Sequence, residues 1–382
     1  MTTLRYASRP VIKVLKLLAY IFGGLVFLLT LASAYGGEID PRTSAFPALL
    51  HLLFLPSVIL TLVITLVSLA GMRRLSVAGG VTLLLTLPML LTYCPIHFSD
   101  RGVEVPENSA DTFSVLTYNT YYFNSYKGVE DDSAAIISTA ENILDSNADI
   151  VVMQEGRPYD PFEMGHEATS PSLAAAIRAR YPYRMFAGNA MCVMSRYPVK
   201  EVPMHYPTLG ENSFMVACYE FTIGSRQLRV LNVHLQSFHI KRSELSSMLS
   251  LSGLFNRHDV ARRARALMLP RVSHAFRMRA LQVDILAHMI NGLPEMPTVV
   301  CGDFNDVPGS YVVRTLVREA RLRDCYMASA FGYSRTYRIH GLWFHIDQMF
   351  CNDMLEPLCT RTIAGGSSDH YPVLGVFEFD GK

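Results

Sequence analysis

Three stretches within the first 99 residues contain no charged side chain: 17–35, 43–72 and 75–99. A helix needs about 20 apolar residues to cross a bilayer, so each run is long enough. The pattern predicts transmembrane helices near 14–35, 47–70 and 75–94. Pro56 and Pro88 fall inside two of them, which membrane helices tolerate better than soluble ones do. The first 99 residues hold seven Lys/Arg and two Asp/Glu; the remainder holds 27 against 31, a formal net of −4. The apolar excess is therefore confined to one end of the chain, and the rest has the balance of an ordinary soluble domain with no global basic bias.

Arg5, Arg9, Lys13 and Lys16 precede the first run, and Arg73-Arg74 follow the second. Basic residues stay on the cytoplasmic side. This predicts a cytoplasmic N-terminus and a C-terminal domain outside the cytoplasm, periplasmic or extracellular in a bacterium. Ala32-Ser33-Ala34 resembles a signal-peptidase site, but the apolar run is longer than a signal segment and two more follow, so an uncleaved helix is expected. Residues 100–111 are polar, contain Pro106 and read as a linker. Residues 112–382 form the expected soluble domain. Seven cysteines, with no Cys-x-x-Cys pair, argue against a disulfide framework or a zinc site.

From Thr112 the pattern changes to short apolar runs alternating with helical stretches. Strands are expected at 113–118, 150–153, 190–195, 213–222, 227–234, 298–301, 345–351, 359–363 and 373–379, and helices at 133–146, 171–180 and 271–290. Hairpin-linked strands mixed with crossover helices give an α/β (α+β) class, with two mixed sheets covered by helices.

Polar residues gather where these strands end or begin: Tyr118-Asn119-Thr120, Gln154-Glu155, Asn232-Val233-His234, Gly302-Asp303-Phe304-Asn305, His345-Ile346-Asp347 and Ser368-Asp369-His370. Ligand sites in α/β folds collect at strand ends. Each cluster has a structural alternative: Asn119 as a turn residue, Glu155 as a solvated carboxylate, His234 as a core histidine, Asp303 to Asn305 as an Asx-turn. Asp347, inside an apolar strand, needs a partner, and His370 can supply it. Six clusters in this order point to metal-assisted cleavage of a phosphate ester.

In that order the motifs from Thr112 to Phe379 resemble the endonuclease/exonuclease/phosphatase superfamily, the fold of DNase I-like nucleases, neutral sphingomyelinases and inositol polyphosphate 5-phosphatases. The resemblance implies a four-layer sandwich of two β-sheets flanked by helices. It also implies a divalent metal, Mg²⁺ or else Mn²⁺ or Ca²⁺. On that resemblance Glu155, Asn119 and Asp369 serve the metal. Asp303 activates water, Asn305 holds a phosphate oxygen, His234 and His370 flank the phosphate, and Asp347 orients His370. Tyr121 stands where some members carry a second acid. His234 lies in a segment where base-repair nucleases have a Tyr-containing motif, so the branch of sphingomyelinases, DNase I-like enzymes and phosphoinositide phosphatases fits better.

The expected partners are the lipid bilayer and a phosphate-ester substrate, phospholipid or nucleic acid; no protein partner is implied. Residues 257–279 carry seven Arg and one acid. They read as a surface for anionic lipid or nucleic-acid phosphates, or as a solvated helix face. Leu249, Leu251, Leu254 and Phe255 beside them either dip into a bilayer or pack on the sheet. Arg279 and Gln282 match an Arg-x-x-Gln pattern on the family's helix before the Gly-Asp-Phe-Asn strand, which implies a structural role. A membrane-anchored phosphoesterase is the leading expectation, a membrane-tethered nuclease the alternative. A scaffold with a decayed site is disfavoured by the intact residue set.

Overall fold

The computed structural model describes residues 8–98, 111–126, 132–163, 171–186, 190–207, 214–238, 266, 268–338 and 344–380. The expected linker, apart from Asp111, lies outside them, as do Leu249, Leu251, Leu254, Phe255 and much of the arginine-rich stretch. The chain divides into two compact units. The first runs up to Thr92 and includes Gly309–Tyr311; the second holds Tyr93–Pro308 and the chain from Val312 onward.

The first unit is helical: α1 (Ser8–Tyr35), α2 (Phe46–His51), α3 (Phe54–Ser68) and α4 (Arg73–Tyr93). Two of its segments, Val11–Glu38 and α4, are long and apolar enough to cross a membrane. The expected third span is not one continuous helix. Leu52 and Leu53 interrupt it, leaving α3 at 15 residues, about 22 Å at 1.5 Å per residue and short of a full crossing. The helices are joined by hydroxyl pairs. Thr30 of α1 bonds the Ser57 carbonyl and the Thr61 hydroxyl of α3, and Ser68 meets Ser76 of α4. Large apolar side chains point away from these contacts, among them Leu28, Val67 and Leu84, each about two-thirds exposed.

The second unit contains two six-stranded sheets. Sheet one runs β11-β12-β1-β2-β4-β3 and sheet two runs β5-β6-β7-β8-β10-β9. The strands are β1 (Thr112–Asn119), β2 (Ile150–Gln154), β3 (Tyr183–Phe186), β4 (Cys192–Ser195), β5 (Val199–Val202), β6 (Met215–Ile223), β7 (Arg226–His234), β8 (Thr298–Asp303), β9 (Arg323–Asp324), β10 (Asp347–Cys351), β11 (Leu355–Thr362) and β12 (Val373–Phe379). Each sheet is antiparallel except for one central parallel pair, β1 with β2 and β7 with β8. A parallel pair needs a crossover connection. Helix α5 (Asp132–Asp145) lies between β1 and β2, and α7 (Leu269–Gly292) between β7 and β8. The remaining helices are α6 (Pro171–Arg180), α8 (Tyr311–Glu319) and α9 (Cys325–Ser329).

Alternation along the strands builds the layers. Val115 and Val152 of sheet one meet Val230, Val299 and Met349 of sheet two in one core between the sheets. Leu116 and Val151, the next residues along, face the other way and pack with Ile136, Ala140 and Ile143 of α5 and Ile177 of α6. On the other face of sheet two Leu231, Val300 and Phe350 are also fully buried. The expected mixed sheets flanked by helices are present. Near one end the inter-sheet core turns polar. Gln154 of β2 donates to Asn232 of β7 (2.5 Å) and to Thr117 (3.0 Å), and Asn232 donates to the Met153 carbonyl (2.9 Å). This clamp joins the two sheets directly beneath the strand ends that carry the polar motifs.

Candidate active site

Register brings the site together. In sheet two His234, Asp303 and Asp347 occupy directly opposed positions on β7, β8 and β10. Neighbouring strands lie about 4.8 Å apart, so three functional side chains form one row across the sheet. Gly302 permits this closeness: its φ is +147°, and a Cβ there would sit 1.9 Å from the Val233 carbonyl oxygen. In sheet one Asn119 is in register with Gln154, the residue before Glu155.

The two histidines converge on one carboxylate. His370 Nε2 lies 3.7 Å and His234 Nε2 3.8 Å from Asp303 Oδ2. His234 Nε2 is also 3.8 Å from Glu155 Oε1. His370 Nδ1 lies 2.8 Å from Asp347 Oδ2, which leaves Nε2 facing Asp303. Asn305 donates its backbone N–H to Asp303 Oδ1 (2.8 Å) and its side-chain amide to the Leu235 carbonyl (3.0 Å). Ser368 donates to the Asn119 carbonyl (2.7 Å) and accepts from the His370 N–H (3.1 Å), tying the last motif to the end of β1.

Asn119 is arranged differently from the expected metal ligand. The Tyr121 backbone N–H can only donate, and it donates to Asn119 Oδ1 at 3.1 Å. The amide nitrogen therefore faces the carboxylates, at 3.0 Å from Asp303 Oδ2 and 3.3 Å from Glu155 Oε1. Asn119 bridges the two acids as a donor.

Electrostatics follow from crowding acids in a buried place. Burial raises the Asp303 carboxyl to about 7; the His370 cation opposes the rise, and the Asp347 carboxylate adds to it. Glu155 is also raised, first by burial and then by Asp303 and Asp369, against the pull of His234 and His370. Burial by itself would lower His370, but the Asp347 and Asp303 carboxylates hold it well above its ordinary value. Asp369 thus joins the cluster through its field; its backbone carbonyl accepts from Arg338 N–H at 2.8 Å. His345, beside the site, is pushed down to about 4 by burial and bonds the Ser334 carbonyl through Nδ1.

A cation fits this donor set. Glu155, Asp303 and Asp369 offer hard carboxylate oxygens, the chemistry that Mg²⁺ selects, and their mutual repulsion is what a divalent ion relieves. Among the described residues the ligand atoms of Asp303, Asp347 and His370 lie within 4.8 Å of one another. The 2.8 Å contact within that trio engages Asp347 and His370 with each other, so Glu155, partly open to solvent, is the better anchor. Glu155 (φ +49°) and Asn305 (φ +53°) are left-handed; the conformation is strained for the Glu and ordinary for the Asn.

Three contributors gave no signal in the sequence. Thr336 Oγ1 accepts from the Ile346 and Asp347 N–H groups (2.9 and 3.1 Å), fixing the start of β10. The Tyr337 ring lies 4.8 Å from the His370 ring. Arg338 stacks on Tyr371 at 3.8 Å and bonds the Gly366 carbonyl. All three lie on a loop with no apolar periodicity. Ser368 stands inside the Ser-Asp-His motif, but its tie to β1 is a tertiary contact with no local sequence signal.

The sequence profile of the Endonuclease/Exonuclease/phosphatase family matches residues 116–370, from β1 through His370. The chain belongs to this family. Similar solved structures include an endonuclease/exonuclease/phosphatase from Beutenbergia cavernae DSM 12333 (17% identity, 71% of this chain and 72% of that one, TM-score 0.44). Truncated TDP2 from Caenorhabditis elegans is 14% identical over 71% of this chain and 100% of its own, with a TM-score of 0.43. A beta toxin variant from Staphylococcus aureus with bound magnesium ions is 15% identical over 69% and 99%, with a TM-score of 0.44. No curated protein matches the chain. As a member of the endonuclease/exonuclease/phosphatase family, the chain falls among hydrolases of phosphoesters.

Proposed function

We propose that this protein is a membrane-anchored, divalent-metal-dependent phosphoesterase. The observation that carries the reading is the buried Asp303 carboxylate, set between two imidazoles and bonded by Asn119 and Asn305. Glu155, with Asp369, would hold a divalent ion, Mg²⁺ by donor chemistry, and that ion would supply polarisation of the phosphoryl oxygens. Asp303, set between the two imidazoles, takes the proton of the attacking water at Oδ2. His370, kept protonated by Asp347, and His234 present Nε2 to the charge that grows on the phosphate oxygens. Asn305 contributes its remaining amide hydrogen to the same group. Asn119 orients both carboxylates.

The substrate is a phosphate ester presented by phospholipid; the exposed apolar faces of α1, α3 and α4 support it, because anchoring concentrates a lipid substrate. We place the domain outside the cytoplasm. On this reading α2 and α3 cross the bilayer together. Backbone bonds Leu53 N–H to Leu50 O and Ser57 N–H to Leu53 O continue through the break, and 46–68 carries no charge. Three crossings from a cytoplasmic N-terminus leave the C-terminus outside.

The test uses the full-length protein in nanodiscs with bis-p-nitrophenyl phosphate, plasmid DNA and phospholipid vesicles, each with Mg²⁺ and with EDTA. Hydrolysis requires Mg²⁺ and disappears in Asp303→Ala and His370→Ala; full activity in both variants refutes the assignment. Rapid DNA cutting with inert vesicles makes the protein a membrane-tethered nuclease instead.

A further inference from the structure

A short strap runs beside the Ser-Asp-His motif. Residues 336–338 pair antiparallel with 369–371. Tyr371 N–H donates to the Thr336 carbonyl (2.6 Å), and Arg338 N–H donates to the Asp369 carbonyl (2.8 Å). Between these two bonds Tyr337 and His370 stand directly opposite each other. Bonds on either side and none between make this the close kind of antiparallel pair. Opposed residues of such a pair turn their side chains to the same face. His370 sends its imidazole toward Asp303, so Tyr337 sends its phenol into the same site. The ring contact agrees, with centroids 4.8 Å apart and planes tilted by 55°. On its other edge the Tyr337 N–H donates to the Phe344 carbonyl (3.1 Å). The backbone thus fixes the direction of this side chain from both sides.

The neighbours of Tyr337 are occupied. Thr336 Oγ1 accepts from the Ile346 and Asp347 N–H groups, and Arg338 donates to the Gly366 carbonyl. Tyr337 itself is half-buried, and among the described residues its Oη makes no hydrogen bond. Its surroundings are the acids of the site. Burial, and then the carboxylates of Asp369, Asp303 and Glu155, lift the phenol well above its ordinary value, so it keeps its proton at neutral pH. A neutral donor in the field of three carboxylates, bonded to none of them, has its hydrogen available for a ligand. It brings no charge of its own and does not compete with a cation for the acids.

We propose that Tyr337 is a further catalytic residue, whose phenol donates a hydrogen bond to a phosphoryl oxygen of the bound ester beside His370. The proposal rests on the phosphoesterase reading and deepens it by one donor. The strap holds the hydroxyl in place before the substrate arrives, so nothing has to reorganise as charge grows on the oxygen. The ring alone would only pack against His370 and limit its rotation; the hydroxyl separates the two roles.

Tyr337→Phe keeps the ring and removes the hydroxyl. Since that hydroxyl bonds nothing in the protein, thermal unfolding of the full-length variant in nanodiscs matches the wild type. A lowered Tm means the hydroxyl is engaged within the protein and overturns the proposal. With bis-p-nitrophenyl phosphate and Mg²⁺, kcat falls by about 100-fold while KM moves little. Tyr337→Leu, which loses the ring as well, falls further. Wild-type kcat in Tyr337→Phe, with loss confined to Tyr337→Leu, makes the residue a wall for His370 and overturns the donor. A second measurement needs no turnover. Orthovanadate, which takes up the five-coordinate geometry of phosphoryl transfer, is titrated into the protein with Mg²⁺ and followed by vanadium NMR. The wild type binds it about tenfold more tightly than Tyr337→Phe does; equal affinities overturn the proposal. Should the parent protein hydrolyse no ester, the phosphoesterase reading fails while the titration still decides the phenol, and a wild type that binds no vanadate overturns it too.

Discussion

At the scale of single residues the decisive group is Asp303. Asp303→Asn keeps the shape and removes the base, so kcat/KM falls by about 10²–10⁴-fold, measured with Mg²⁺ saturating. The same variant makes a stability prediction. A carboxyl raised to about 7 from an ordinary value of 3.8 holds a proton in the folded state that the unfolded chain has released. Its contribution to stability is fully present below about pH 4 and is lost as pH rises through 7. The metal-free wild type therefore loses stability relative to Asp303→Asn across that window. The Tm difference between them, by calorimetry, grows from pH 4 to pH 7; a constant difference contradicts the shifted carboxyl. Asp347 and His370 act as one unit, joined at 2.8 Å. His370→Ala and Asp347→Ala each lower kcat, and the double variant is no worse than the poorer single one; additive losses separate the pair. The carboxylates and histidines were legible because each sits in a short motif at a strand end. Thr336 and Tyr337 were not, because they meet Asp347 and His370 only through tertiary contact. On the family resemblance Asn119 was expected beside the metal; a backbone N–H two residues later turns its nitrogen toward the acids.

At the scale of elements the central strands were legible and the edges were not. β1, β2, β6, β7, β8 and β12 are buried on both faces over much of their length, and their apolar runs stand out. The unread strands β3, β5 and β9 are all sheet edges. β5 reads Val-Lys-Glu-Val with its middle residues exposed, so no apolar run marks it. β11, the remaining edge, was read only in its second half, because its register shifts between Pro357 and Cys359 and breaks the alternation. The middle apolar run was read as one helix; hydropathy cannot see the break at Leu52-Leu53. One glycine ties an element to the site. Gly302→Ala drives a Cβ against the Val233 carbonyl at a left-handed φ, forcing β7 and β8 apart between His234 and Asp303. The expected cost is about 2–3 kcal/mol by denaturant unfolding, with activity falling even under conditions where the variant stays folded.

At the scale of the whole molecule, the long apolar helices fall in one unit and the polar site in the other; on the proposed reading the first holds and the second cuts. If α2 and α3 cross together, alkaline phosphatase fused after Lys382 is active in a bacterial host, and an inactive fusion puts the domain on the cytoplasmic side. The site itself has no element of its own. Its row of His234, Asp303 and Asp347 exists only because three strands are aligned residue for residue. Side chains alternate along a strand, so a slip of one residue in β10 would keep an apolar sheet nearly intact while turning Asp347 to the opposite face. Misaligned molecules would pass as folded by circular dichroism and yet be inert. Specific activity after refolding is thus a census of correct strand alignment, and catalysis reports on a folding error that bulk spectroscopy does not resolve.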